Sequence, residues 1–261
     1  MLSDQQFVRF QRQICLEEVG ERGQKKLENS TVLIIGCGGL GCAASLYLAS
    51  AGIGKLVLVD DDFIEVSNLH RQIAYIDSDQ GVSKADALAK RLSAINPEVV
   101  IRVIRKRMSD DQMRLEVMMA DLVLDCCDNM PSRQQINRSC CEQNKTLISA
   151  SAIGWQGQFS MFDFSDPHTE GGCLHCLFPF ENLEREGRCI DFGVIGPVVG
   201  ILGNYQALAA IQKLSMDKVY FEPNQLYLFD GLNLRWQTFA RSKVRYCDVC
   251  GVISEDLRRA L

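Results

Sequence analysis

A chain of 261 residues, 47% hydrophobic and 23% charged, can bury a sizeable core, and disordered and fibrous classes are excluded. Its 28 Lys and Arg against 33 Asp and Glu leave a net charge of −5, which excludes the broad basic face of a nucleic-acid binder. The first ten residues mix acidic and polar side chains instead of a basic patch followed by an apolar run, and the most apolar later stretch, 194–202, is broken by Gly196, Pro197 and Gly200. A cytoplasmic protein without signal peptide or membrane anchor is expected, because a span needs about 20 apolar residues.

Residues 4–29 set Phe7, Phe10, Ile14, Leu16, Val19 and Leu27 among charges at helical spacing, which predicts an N-terminal helical arm that reaches another surface. Thr31 to Ile35 reads as a buried strand, followed at once by Gly36-Cys-Gly-Gly-Leu-Gly41 and a helix over 42–51. A second strand over 55–59 ends at Asp60. Further strands are expected at 99–104, 122–124, 146–149 and 158–162, separated by helices at 84–95, 109–119 and 131–143. Alternation of this kind predicts an α/β fold, a Rossmann-type doubly wound and mostly parallel sheet. Asp166-Pro-His168 and Gly171-Gly172 open an appended loop with a charged stretch over 181–191. Pro197 starts a helix through Leu214, and Gln225 to Phe229 reads as the last strand. The whole is read as one domain: an arm (1–29), a nucleotide-binding core (30–165) and a portion for metal and partner (166–261).

Gly36, Gly38 and Gly41 have the spacing that lets a backbone turn tightly and approach phosphate oxygens at a helix N-terminus. Asp60, 19 residues beyond the last glycine, suits ribose hydroxyls. This points to an adenine nucleotide without choosing between NAD and ATP. Asn68-Leu-His-Arg-Gln72, Lys84 and Asp125-Cys-Cys-Asp128-Asn129 are groups a triphosphate site uses: Arg71 and Lys84 offset phosphate charge, and Asp128 holds a magnesium ion. By spacing alone the alternative stands beside it, with Arg71 and Lys84 as solvated charges and Asp128 as a helix cap before Pro131.

Cys173-Leu-His-Cys176 and Cys247-Asp-Val-Cys250 supply two Cys-x-x-Cys pairs, four ligands for a tetrahedral zinc. Neither pair opens a helix after a strand, which disfavours a redox-active disulfide. A four-cysteine site has no open position, so its role is structural: it clips the C-terminal segment onto the loop after the sheet. Cys126, Cys127, Cys140 and Cys141 read as small buried residues. Cys37 and Cys42, flanking the glycines, predict a site sensitive to oxidation.

Taken together, Arg12-Gln-Ile14, the glycine loop, Asp60 to Asp62, Asn68 to Gln72, Lys84, Asp125 to Asn129 and the paired cysteines resemble the ThiF/MoeB/HesA family of bacterial ubiquitin-activating-enzyme-like adenylyltransferases, over nearly the whole chain. The resemblance implies an ATP and Mg2+ site of Gly36, Gly38, Gly39, Gly41, Asp60, Asp62, Asn68, Arg71, Gln72, Lys84, Asp128 and Asn129. It also implies a homodimer in which Arg12 completes the partner's site. The implied substrate is a ubiquitin-like sulfur-carrier protein with a C-terminal Gly-Gly, adenylated at its terminal carboxylate, with a separate sulfur donor acting afterwards. Cys189, between Arg185 and Arg188 on one side and Gly193 to Gly200 on the other, reads from its neighbours equally as a reactive thiol or an inert one. Similarity to the ThiF branch gives it the activated carrier as an acyl (di)sulfide.

The thiamin-pathway branch is expected first, on Cys176-Leu-Phe-Pro179 and Gly196-Pro-Val-Val-Gly200, and the molybdopterin branch second. One chemical point agrees: a carboxylate is ionised near pH 7, so it attacks the α-phosphate without a general base. Two readings of other classes compete. An NAD-dependent oxidoreductase explains the glycine loop and Asp60 but leaves the cysteine pairs, Arg71 and Lys84 without a task. A nucleotide-binding scaffold would hold the carrier without adenylating it.

Overall fold

The computed structural model describes residues 2–166, 170–179 and 193–251. Eight strands form one sheet in the order β3-β2-β1-β4-β5-β6-β7-β8: β1 Thr31–Ile35, β2 Lys55–Val59, β3 Val100–Ile104, β4 Leu122–Asp125, β5 Thr146–Ile153, β6 Gln156–Asp163, β7 Gln225–Asp230 and β8 Arg235–Ala240. β1 to β5 run parallel, and β6 to β8 continue antiparallel from the β5–β6 hairpin. The expected α/β, doubly wound sheet is therefore present, with a mixed edge. β7 is not the last strand as the sequence reading had it. β8 follows a turn over 231–234, and its mostly exposed side chains carry too little apolar alternation to mark it.

Alternate residues of the central strands feed two cores, as the period-2 strand geometry requires. Val32, Ile34, Leu56, Leu58, Leu122 and Leu124 face α3 (Gly39–Ser50), α4 (Lys84–Ile95) and α8 (Gly196–Met216). Leu33, Ile35, Val57, Val59 and Val123 face α5 (Asp110–Met119) and α6 (Met130–Glu142). α6 starts where chemistry favours it, with Asn129 as N-cap accepting from the Ser132 N–H at 3.0 Å and Pro131 in the first turn. α3 begins at Gly39, three residues before the sequence reading placed it, so the glycines build its first turn. α7 is a single turn, Leu174–Leu177.

The N-terminal segment is two helices, α1 (Asp4–Ile14) and α2 (Gly20–Glu28), separated by residues 15–19, with Gly20 at φ +55° opening α2. It is docked on its own chain. Arg9 Nη1 donates to Ile95 O at 3.1 Å and Gln13 Nε2 to Ala51 O at 3.1 Å, so α1 sits against the C-terminal ends of α4 and α3. The glycine loop lies at the opposite end of α3, about 18 Å away for a helix of that length. Among the described residues no helix is long and apolar enough to cross a membrane.

Candidate active site

The register of the parallel strands sets the site. Ile35 pairs with Val59 and with Asp125, so Gly36, Asp60 and Cys126 each follow the last residue of a strand along one rim. Backbone bonds extend this alignment: Gly36 N to Val59 O at 2.9 Å, Asp60 N to Ile104 O at 3.1 Å and Cys126 N to Ile35 O at 2.9 Å. The chain leaves β1 toward β2 on one side and takes up β4 on the other, which opens a crevice at the switch point where α/β sheets bind ligands.

The glycines divide by task. Gly36 has φ +96°, and a side chain there would meet Cys126 O at 2.6 Å. A Cβ on Gly41 would run into Gly36 O, so that glycine lets the helix start close to the strand. Gly38 is different: its φ of −74° is open to any residue, and only Gln72 Nε2, at 3.7 Å, would approach a Cβ. Protein packing leaves the space over Gly38 free at the N-terminus of α3, where backbone N–H groups and the helix dipole favour an anion.

Around this loop the structure gathers Asp60, Asp62, Asn68, Arg71, Gln72 and Lys84. Asp60 accepts from Cys37 N at 2.6 Å and Asp62 N at 2.8 Å, and keeps lone pairs for a further donor. Burial pushes its carboxyl above the ordinary value, against the pull of these N–H groups and Lys84. Lys84, buried at the first position of α4, donates to Asp62 Oδ2 at 2.7 Å. That position is unfavourable for a cation, and Asp62 is its counter-ion. Arg71 Nη1 donates to Ser67 O at 2.9 Å. Asn68 is buried in the turn, its carbonyl accepting from Arg71 N and Gln72 N. Gln72 is also buried, and its Oε1 has no partner, an orphaned acceptor beside the glycine loop that a ligand would satisfy. Asp128 and Asn129 are exposed on the neighbouring stretch of rim, after β4. The helix cap considered for Asp128 is Asn129 instead.

Three contributors had no role in the sequence reading. Tyr75 Oη donates to Cys37 O at 2.6 Å and to Lys84 O at 3.1 Å, bracing the glycine loop against α4. Gln206, fully buried on α8, donates to Asp125 O and Ile148 O. Arg133 forms a buried pair with Asp125 at 2.9 Å, completed by Ser149 Oγ at 2.6 Å. The one available signal for Gln206 was a polar residue set among the apolar positions of a largely apolar helix.

Burial raises the thiols of Cys37 and Cys126, and that of Cys42 to about 12. They are neutral and poorly reactive at ordinary pH, which runs against the expected sensitivity to oxidation.

The two Cys-x-x-Cys pairs meet. Cys173, Cys176, Cys247 and Cys250 bring their sulfurs within 4.8 Å of one another, with separations of 3.9 Å (173–176), 3.7 Å (173–247) and 3.4 Å (176–250). A tetrahedral zinc with Zn–S near 2.3 Å requires sulfur separations of about 3.8 Å. Hydrogen bonds from Cys173 and Cys250 hold the Cys176 thiol well below its ordinary range, and Val244 N donates to its sulfur at 3.5 Å. The donor set fits zinc. Cys189 lies outside the described residues.

Fold and rim thus define a class: a nucleotide-binding α/β sheet whose C-terminal segment is clipped by a tetracysteine site. The ThiF family profile matches residues 10–249, and the chain belongs to the ThiF family. It is 43% identical to the sulfur carrier protein ThiS adenylyltransferase of Escherichia coli (strain K12) over 255 residues, 98% of this chain and 99% of that protein. It is 37% identical to the molybdopterin-synthase adenylyltransferase of the same organism over 252 residues, 96% of this chain and 98% of that one. Among solved structures, E. coli MccB with ATP superposes with a TM-score of 0.73 at 27% identity, over 88% of this chain and 69% of that chain. The enzyme class implied by the sequence, an adenylyltransferase, is the one that the two E. coli enzymes of 43% and 37% identity carry in their names.

Proposed function

We propose that this enzyme adenylates the C-terminal glycine carboxylate of a ubiquitin-like sulfur-carrier protein, with the thiamin-pathway carrier ThiS as substrate: carrier-COO⁻ and ATP give carrier-CO-AMP and pyrophosphate. The observation that carries the reading is the open side of Gly38 beside the orphaned Gln72 Oε1, at a rim bearing the cations Arg71 and Lys84 and the carboxylates Asp60, Asp62 and Asp128. Asp60 receives the ribose hydroxyls. The α3 N-terminus takes the phosphates, and Lys84 exchanges Asp62 for them as counter-ion. Arg71 stabilises charge on the triphosphate. Asp128 would hold a magnesium ion, which would offset charge on the phosphates. With an ionised carboxylate as nucleophile, catalysis is orientation and electrostatics.

Arg12 acts in a second copy, within a homodimer. The docking of α1 at the far end of α3 supports this, since that end cannot serve its own chain's rim. Zinc is held by Cys173, Cys176, Cys247 and Cys250 and supplies a structural crosslink. Sulfur delivered by a donor displaces AMP from the acyl adenylate to give a thiocarboxylate, with Cys189 acting after adenylation. Cys189→Ser is then expected to keep adenylation and lower sulfur transfer.

The molybdopterin-pathway carrier MoaD is the second reading, favoured by the 37% identity over full length. Pyrophosphate exchange into ATP, with each carrier and with carriers lacking the last glycine, tests both. Exchange that requires the intact tail supports adenylation, and the preferred carrier names the branch. Exchange with neither refutes the proposal.

A further inference from the structure

The tetracysteine site and the nucleotide rim share a helix. α6 is capped by Asn129, directly after Asp128, and its later turns are bonded to both halves of the metal site. Asn137, fully buried, accepts from Leu174 N at 3.0 Å, next to Cys173. Gln134 Nε2 donates to Phe178 O at 2.7 Å, just beyond Cys176. Cys141 Sγ lies 3.6 Å from Val249 O, between Cys247 and Cys250. Asn137 sits about 12 Å along the helix from its cap.

The same turn of chain adjoins an ion pair. Leu174, Leu177 and Phe178 line one small pocket together with Arg133 and Ser149. Arg133 meets Asp125, which is fully buried. The other oxygen of Asp125 accepts from Cys127 N at 3.1 Å and so shapes the 125–128 turn that ends in Asp128. A buried pair of this kind is strong only while water is excluded and its geometry held. Without metal, Cys173 and Cys176 lose their tie to Cys247 and Cys250, and the Leu174–Phe178 turn keeps only its bonds to Asn137 and Gln134.

We propose that metal occupancy of the tetracysteine site sets the position of Asp128 through α6, with Asn137 and Gln134 as positioning residues that join the cysteine turn to the Asp125–Arg133 pair. This rests on the reading of Asp128 as a triphosphate-site residue and of the cysteines as zinc ligands. It makes the zinc more than a tail clip: nucleotide binding at the rim becomes conditional on metal more than one helical turn beyond the ion pair.

The test uses zinc-loaded protein of measured metal content, before and after stripping with a chelator. Two quantities are read: amide exchange across residues 125–134 by mass spectrometry, and magnesium-ATP affinity by calorimetry. In the wild type, stripping is expected to speed exchange over 125–134 well beyond any change in β1 to β3, and to weaken nucleotide binding about fivefold or more, within the usual range of site-to-site coupling. Zinc-loaded Asn137→Leu is expected to show both changes already, so that its affinity ratio between loaded and stripped protein falls toward one. Gln134→Met, which removes the bond to Phe178 O and a longer contact to the Met130 sulfur, should move both readouts the same way by less. Unchanged exchange over 125–134 in zinc-loaded Asn137→Leu overturns the proposal. So does a rise on stripping spread evenly over β1 to β3, which marks zinc as a support of the whole fold. A wild type that binds no nucleotide refutes the functional reading instead, and the exchange result alone then decides the link.

Discussion

Gly38→Ala and Gly41→Ala are the same change three residues apart, and the structure assigns them opposite consequences. At Gly41 the new methyl group would run into Gly36 O and lie 3.0 Å from the carbonyl carbon, both backbone atoms of a turn fixed by φ +96°. Neither can yield without moving α3 from β1, and overpacking of this kind costs about 1–3 kcal/mol or more. Taking about 3 kcal/mol, the melting temperature falls on the order of 6–12 °C for a domain of this size. At Gly38 the methyl group meets nothing closer than 3.7 Å, and φ −74° with ψ −156° is open to alanine. The entropy gained from a stiffer unfolded chain, about 0.4–1 kcal/mol, is offset by alanine's poorer performance as an N-cap, so stability stays within about 1 kcal/mol. The methyl group nevertheless occupies the space above the helix N-terminus. Gly38→Ala is therefore expected to melt like the wild type and to lose ATP binding by at least tenfold, about 1.4 kcal/mol. Thermal melts and calorimetry with magnesium-ATP read the two effects separately. Wild-type nucleotide affinity in Gly38→Ala would refute the placement of phosphate over Gly38.

Three further outcomes follow from the same geometry. Arg133→Met strands the buried Asp125 carboxylate and is expected to cost about 3–5 kcal/mol in urea unfolding; adding Asp125→Asn should recover part of that loss. If Arg12 serves the partner's rim, Arg12→Ala and Asp128→Ala chains, each inactive in pyrophosphate exchange, regain activity when mixed and allowed to exchange subunits, because one site of the mixed dimer carries both residues. No recovery after demonstrated exchange removes Arg12 from the shared site. Burial works to raise the Asp163 carboxyl, but Lys213 at 2.6 Å and the hydroxyls of Ser165 and Thr146 outweigh it and hold it below its ordinary value. A depressed carboxyl contributes stability above its unfolded value, near 3.9, and loses it as pH falls through the folded one. Stability should therefore drop more steeply below pH 4 in the wild type than in Lys213→Met, and parallel profiles would refute the role of this pair.

The parts of the fold legible in the sequence are those where local chemistry and global position agree. β1, the glycine turn and α3 announce themselves because a short apolar run, a required positive φ at Gly36 and a close approach at Gly41 all fall within eleven residues. The cysteine pairs were equally plain, since no common local structure asks for two Cys-x-x-Cys motifs. β8 was missed because a solvent-facing edge strand buries too little to impose a pattern. The expectation that residues 4–29 reach another surface met a different limit: an amphipathic helix states that one face is covered, and only contacts such as Gln13 with Ala51 say by what. Here the chain itself covers Phe10 and Leu27, while Phe7, Val8 and Leu16 stay exposed.

The motif Asp125-Cys-Cys-Asp128 shows where sequence reasoning stops and burial takes over. Two aspartates three residues apart, at the end of one strand, are chemically interchangeable on paper. In the structure Asp125 is fully buried and bound to Arg133, Ser149 and Cys127 N, while Asp128 is exposed on the rim. The inner carboxylate is spent on holding the turn, and the outer one is oriented by that turn. A dry, fully bonded pair behind the rim keeps an exposed carboxylate in place with little loss of side-chain entropy on binding, which suits a reaction whose barrier is lowered by positioning. Gln206 likewise ties α8 to the ends of β4 and β5, and Tyr75 ties the glycine loop to the start of α4. The groups that hold the rim are buried and neutral or paired, and the exposed Asp128 follows the turn that they fix.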